Sequence, residues 1–237
     1  MSSPVLSTAE IHDIFAAQIA NAGGVVSETC DAGDRLFARS LLPWVADVRP
    51  NDKLRGGVAL KATECEICLH PYLFRLVCTN GAVRAHAIQT RRIDLSDVFL
   101  PEAAGETLRE AVQACAVKEA FLEGIAEVRS ATERGVDLAL ELMPMLMRMS
   151  QGRSDARALQ EILFRFMGEP DRSRFGLMNA ITSVARDTQD QDLRWRLEEL
   201  GGGVPVGRST APSHLATSLE WEADPPRIEE IETAMSE

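Results

Sequence analysis

The chain has 237 residues, 45% hydrophobic and 26% charged, with a formal net charge of −11. This composition belongs to an ordinary folded protein and excludes collagenous, low-complexity and disulfide-dense classes. No run approaches the roughly 18–20 apolar residues that span a bilayer, so no membrane partner is expected, and an acidic total opposes non-specific polyanion binding by the whole chain.

The charge is uneven, about −1 over residues 1–100, −5 over 101–200 and −5 over 201–237. The opening MSSPVLSTAEIHDIF lacks a basic-then-apolar leader, and the cysteine count of five is odd. Both point to reduced thiols and a cytoplasmic protein.

Residues 7–22 read as a helix, with Ser7 and Glu10 forming a capping box and Gly23-Gly24 stopping it. Residues 25–62 read as β-rich: Val25-Val26 opens one strand, and 35–48 a longer one broken at Pro43. Arg49-Pro50-Asn51-Asp52 is a turn cluster, and Gly56-Gly57 leads into Val58–Ala62. The segment ECEICLH then runs to Pro71.

The stretch Tyr72 to Arg92 reads YLFRLVCTNGAVRAHAIQTRR. Asn80-Gly81 between strand formers predicts a hairpin with a type I′ turn, because both central residues need φ > 0. In that register Phe74 faces Ala87 and Arg75 faces His86. Phe74, Leu76, Cys78, Val83, Ala85 and Ala87 then share a core face. Arg75, Val77, Arg84, His86, Ile88 and Arg92 share a mixed, basic face.

Beyond Asp94 the pattern turns helical. Helices are predicted over 102–129, 131–149, 155–167 (capped by Ser154), 173–187 and, more polar, 190–200. The half LALELMPMLMRM is apolar nearly all round, with a kink expected at Pro144. The expected fold is α+β: an N-terminal antiparallel sheet with a central hairpin, then a mostly helical C-terminal half. Residues 1–200 form one unit, β-rich over 25–95 and helical over 102–200, and 201–237 form an acidic, disordered tail.

Three chemistries fit these elements. Arg75, Arg84, His86, Arg91 and Arg92 could contact phosphates from one sheet face, since guanidinium is a bidentate phosphate donor. That makes DNA the first partner to consider; a solvated or helix-covered face is the plainer reading. The Met-rich segment 136–149, with the acidic tail, offers a protein-binding or self-associating surface, against core filling as the plainer reading. Cys65, Cys68, His70 and Cys78 are soft or borderline ligands of the kind zinc takes. On a strand, however, Cys65 and Cys68 point to opposite faces, and the two flanking glutamates oppose thiolate formation. The expectation is therefore buried structural thiols and no cofactor. No P-loop, G-x-S-x-G, G-x-G-x-x-G or H-E-x-x-H occurs, so no catalytic residue is nominated and an enzyme is not the favoured reading.

Two segments carry a family likeness. Phe74-Arg75-Leu76-Val77-Cys78-Thr79-Asn80-Gly81 resembles the signature of a phage- and plasmid-associated domain-of-unknown-function family. Gly176-Leu177-Met178-Asn179-Ala180-Ile181-Thr182 resembles that family's later helical element. The order and separation fit, and together they bracket residues from about 55 to 200. The resemblance implies a protein of a mobile genetic element and supplies no reaction. Within the motifs, Asn80 and Gly81 make the turn, Cys78 packs inward, and Asn179 sits in an apolar helical run where burial would demand hydrogen-bond partners.

Overall fold

The structure, a computed structural model, describes residues 5–75, 82–83, 90–95, 100–137 and 153–205. It is α+β: an N-terminal antiparallel sheet followed by helices. Helix α1 (Thr8–Asn21) starts at the predicted capping box, in which Ser7 and Glu10 bond each other's backbone N–H. The strands are β1 (Val25–Asp31), β2 (Arg35–Leu41), β3 (Val45–Arg49), β4 (Asp52–Thr63), β5 (Glu66–Arg75), β6 (Ala82–Val83) and β7 (Arg91–Asp94). They form one seven-stranded sheet ordered β1-β2-β4-β5-β6, with β3 also on β4 and β7 also on β5. The helices that follow are α2 (Pro101–Cys115), α3 (Lys118–Ala131), α4 (Arg153–Gly168), α5 (Arg174–Asp187) and α6 (Gln191–Gly203). No helix among the described residues is long and apolar enough to cross a membrane.

Pro43 separates β2 from β3, and Pro50-Asn51 turns β3 into β4 with Asn51 at φ 64°. The glycine pair, expected to precede a strand, lies inside one: β4 begins at Asp52. Strand β5 likewise runs through Pro71 instead of ending there. The Val58 N–H and C=O both bond Ser40 Oγ on the β2 side, each at 3.0 Å. Val58 and Pro71 are therefore a non-hydrogen-bonded pair, and the proline nitrogen points away from β4. It falls in the interval where β7 has ended opposite Leu69 and β6 has not begun opposite Leu73, so no described ladder bond is lost.

The expected hairpin register does not hold. Phe74 faces Ala82, not Ala87, and the return chain meets β5 twice, at Leu73–Phe74 and at Glu66–Leu69. The turn residues Asn80 and Gly81, with Cys78, Arg84 and His86, lie outside the described residues. The expected division into a core face and a basic face falls mostly on residues outside those described; of its members Phe74 and Arg75 are half-buried and Arg92 is exposed, while upstream of them β5 is buried from Ile67 to Leu73 with helices on both sides. On one side Leu36, Val58, Leu60, Ile67 and Leu69 pack against α1 and α2. On the other, Phe37, Ala59, Cys68 and Tyr72 pack against Trp195 of α6. A third cluster joins α3–α6 to Leu54 and Leu73.

The single helix expected over 102–129 is two, broken at Ala116-Val117. The break carries the chain from one core to another: Cys115 packs with α1 and the sheet, Phe121 with α4–α6. Residues 132–137 are not helical, and Gly135 instead bridges Ser173. The Met-rich stretch from 138 lies outside the described residues, as does the chain from 206. The glycines 201–203, expected to end the folded part, belong to α6 and are buried.

Gly57 sits opposite Tyr72 in the β4–β5 ladder. A Cβ there would stand 2.1 Å from the Ser40 carbonyl oxygen and 2.3 Å from the tyrosine ring. Gly57→Ala is expected to lower unfolding stability by about 1–3 kcal/mol, the usual penalty of overpacking. Urea denaturation measures it, and an unchanged midpoint would show that β2 and Tyr72 yield freely.

Candidate functional site

The side chains that face α6 come from alternate positions of β1, β2, β4 and β5. Glu28 and Cys30, then Arg35, Phe37 and Arg39, then Ala59 and Lys61, then Cys68, His70 and Tyr72 share that face by register. Helix α6 lays Asp192, Trp195, Glu198 and Glu199 along one side, at i, i+3, i+6 and i+7. Its start is fixed by Asp190, whose carboxylate accepts from the Asp192 and Leu193 N–H groups at 2.9 and 3.0 Å.

The two sets meet as charge pairs. Arg39, only 3% exposed, donates through Nη2 to Glu198 Oε2 at 2.9 Å. Arg194 donates through Nε to Glu198 Oε1 at 3.0 Å and through both Nη atoms to the Glu28 carboxylate at 2.6 and 3.0 Å. Glu28 closes the ring at 3.4 Å from Arg39. Nearer the start of α6, Asp192 accepts from Lys61 Nζ at 2.5 Å and from Arg35. Burial pushes the Asp192 carboxyl up, but Lys61 and Arg35 outweigh it and hold the group below its ordinary 3.8. Burial raises the Tyr72 phenol well above its usual range, so it stays neutral.

His70 completes the patch. It is buried, with Nδ1 2.7 Å from Thr90 Oγ1, Nε2 3.7 Å from Glu199, and its ring 4.6 Å from that of Trp195. A hydroxyl, an imidazole and a carboxylate in line are the parts of a nucleophile–base pair. The adjoining cavity, lined by Ala59, His70, Tyr72, Trp195 and Glu198, is about 10 Å³. That is the room of one water.

The residues nominated from the sequence are scattered. Arg75 is pinned by two bonds to Asp52, at 2.7 and 2.5 Å, and lies 5.3 Å from the Phe175 ring centre, with Arg49 at 4.9 Å from the same ring. Arg92 binds Glu66 at 2.7 Å, and Arg91 is exposed beside it on β7. Cys65 is exposed at the β4–β5 turn, where its carbonyl accepts from Leu95 N–H at 2.8 Å and continues the β5–β7 ladder. Cys65 thus lies in the bend before β5, exposed, while Cys68 is buried within the strand. Among the described residues no group of three His, Cys, Asp or Glu side chains comes together. Burial, then Glu66, pushes the Cys68 thiol up to about 11, so it is protonated at neutral pH. Asn179 is only half-buried on α5, not enclosed as its apolar neighbours suggested.

One further feature stands apart from the charge network. On α4, Ile162 and Phe166 face the core while Phe164 is 76% exposed and Met167 51% exposed. The helix is rigidly held. Arg165 bonds Glu161, Ser183 and Asp187 at 2.8, 2.5 and 2.9 Å. Arg172 caps the last turn through the Phe166, Met167 and Glu169 carbonyls. Arg157, Gln160, Phe164, Met167 and Gly168 form one exposed stripe.

Known protein-family models, curated proteins and solved structures offer no match to this chain.

Two outcomes follow from the charge network. Glu198→Ala leaves the buried Arg39 with Glu28 alone, at 3.4 Å, and is expected to cost about 3 kcal/mol by urea denaturation, the low end for a broken buried pair because Glu28 remains. For Asp192 the folded pKa is depressed, so its stabilisation is present above 3.8 and is lost as pH falls through the folded value. Asp192→Asn should therefore melt roughly 1–3 °C below the parent at pH 7, with the gap closing in acid, since a partly exposed pair contributes under about 1 kcal/mol. A gap that persists at pH 2 would remove the carboxylate's charge as its cause.

Proposed function

We propose that this chain is a non-enzymatic protein-binding module that works through the exposed stripe of α4. The observation that carries the reading is a contrast. Within the described residues Arg35, Arg39, Lys61, Arg75 and Arg92 of the sheet meet carboxylates, while a Phe and a Met three residues apart stand in water on a helix whose last turn is tied down by Arg165 and Arg172. Isolated exposed apolar residues are ordinary. Two large ones in register, on a helix fixed by arginines, are what a helix-in-groove or helix-on-helix contact needs. The Met-rich sequence just before α4 adds pliable apolar side chains to the same part of the chain.

DNA binding through Arg75, Arg91 and Arg92, with Arg84 and His86, is less well supported. A phosphate would have to displace Asp52 from Arg75 and Glu66 from Arg92. Of these residues, Arg91 is the one described side chain with no carboxylate partner among the described residues, and one phosphate contact gives little affinity.

The test is photo-crosslinking in living cells of the full chain carrying p-benzoylphenylalanine at position 164, with position 119, an exposed glutamate on α3, as control. Covalent protein adducts at 164 and none at 119 are expected. Equal labelling at both positions would sink the reading. So would salt-dependent binding of the full chain to labelled DNA that Arg91→Ala and Arg92→Ala abolish.

A further inference from the structure

Resting on that reading, we infer that the partner of the α4 stripe is a second copy of this chain, packed as an antiparallel helix pair about a two-fold axis. The stripe is self-complementary in charge. Arg157 lies seven residues before Phe164, two turns along the same face, and Glu161 lies between them, 45% exposed at its side chain. Two copies of α4 laid antiparallel with Gln160 opposite Glu161 bring Arg157 of each copy opposite Phe164 of the other. Glu161 is then about 4.5 Å along the axis from that arginine, within reach of its long side chain. Each guanidinium gains an aromatic face and a carboxylate together, and the symmetry makes each contact twice.

The chain already uses that combination within itself. Arg49 and Arg75 lie over the Phe175 ring while bonded to Asp171 and Asp52. Arg172 lies 5.5 Å from the Phe166 ring centre. A guanidinium over a ring is attracted by the ring quadrupole, more strongly when water is excluded. An apolar foreign helix would cover Phe164 and Met167 equally well, but it would bring nothing opposite Arg157 and Glu161. The parallel arrangement fails for the same reason, since it sets Arg157 beside Arg157 and Glu161 beside Glu161. The pair of whole chains carries twice −11, but charges farther apart than a Debye length of about 8 Å are screened at physiological salt.

One helix face per copy is a small interface, so association belongs to the micromolar range. Sedimentation equilibrium of the full chain over roughly 5–200 µM reads it. A monomer–dimer equilibrium is expected in the parent and loss of the dimer in Phe164→Ser. Arg157→Glu and Glu161→Arg each place like charges in contact twice, and each should weaken dimerisation by roughly tenfold or more. The double reversal Arg157→Glu/Glu161→Arg should bind more tightly than either single, because opposite charges face each other again, but more weakly than the parent, because the guanidinium over Phe164 and the Glu161–Arg165 pair are lost. Far-UV circular dichroism and melting of each variant confirm that these exposed positions leave the fold intact.

A parent that stays monomeric to 200 µM overturns the second copy as partner. So does a dimer indifferent to Phe164→Ser, or a double reversal no better than the singles. The crosslinking at position 164 separates the two readings. Adducts of twice the chain's mass support the dimer. Adducts of any other mass overturn the dimer and leave the protein-binding reading standing. No adduct overturns both.

Discussion

The structure depends on taking Arg39 and Glu198 out of water between the sheet and its last helix. Arg39 and Glu198 are almost wholly enclosed, and Arg194 and Glu28 complete their ring. Desolvating an ion costs several kcal/mol, so the ring is tolerable only because each guanidinium meets carboxylate oxygens in good geometry. Its partners are far apart in sequence: Arg39 and Glu198 are separated by 159 residues, Arg194 and Glu28 by 166. The sheet face is therefore incomplete until α6 arrives. Without that helix, Arg39 would lie beside Phe37 and Tyr72 with Glu28 of β1, at 3.4 Å, as its one carboxylate among the described residues. Replacing the ring by apolar side chains of similar volume could be as stable; what the charges supply is one orientation of α6, since sliding it by a residue separates every pair.

That constraint also decides what the sheet can do. An open antiparallel sheet with Arg35, Phe37 and Arg39 on alternate positions, and Tyr72 nearby, would have the cations and rings that hold a single strand of nucleic acid. Here Asp192 and Glu198 occupy the cations and Trp195 occupies the rings. Helix α6 could vacate the face only by surrendering Leu193, Leu197 and Leu200, all buried in the cluster with α3–α5. Each such side chain represents about 1.5–3 kcal/mol of burial. The ionic contacts are the smaller part of what holds it down.

Local signals were legible and long-range ones were not. The capping box at Ser7 and Glu10, the strand break at Pro43 and the turn at Asn51 sit where the residues put them, whereas the cap expected at Ser154 does not, since α4 begins at Arg153. Each depends on a few neighbouring residues. An Asn-Gly signal does not by itself set the register of β5. In the fold β5 takes its position from nine pairings with β4, and the return chain adapts. The break between α2 and α3 was hidden because both halves keep an apolar stripe; only their different cores tell them apart. Arg75 and Arg92 are each bonded to a carboxylate of the sheet. The alternation Arg35-Phe37-Arg39 in β2 was the better signal, and the acidic side of α6 its complement. Neither is recognisable until the pairing is known.

The α4 stripe was invisible for a different reason. In the sequence Phe164 and Phe166 are two aromatic residues in one apolar run, and nothing local says which is buried. Tertiary packing chooses Phe166, because Ile162 and Leu159 share its side of the helix and meet α5 and α6. Phe164 is then left on the opposite side with Met167. Folding gains nothing from leaving them there, since a polar residue at either position would solvate better and pack no worse. The arginines that fix α4, Arg165 to α5 and Arg172 across its last turn, constrain a helix whose inner face is already buried. Their effect falls on the outer face, whose residues they hold at fixed spacing. A rigid stripe loses less side-chain and backbone freedom on association than a mobile one, and preorganisation of that kind is how a small apolar interface reaches useful affinity.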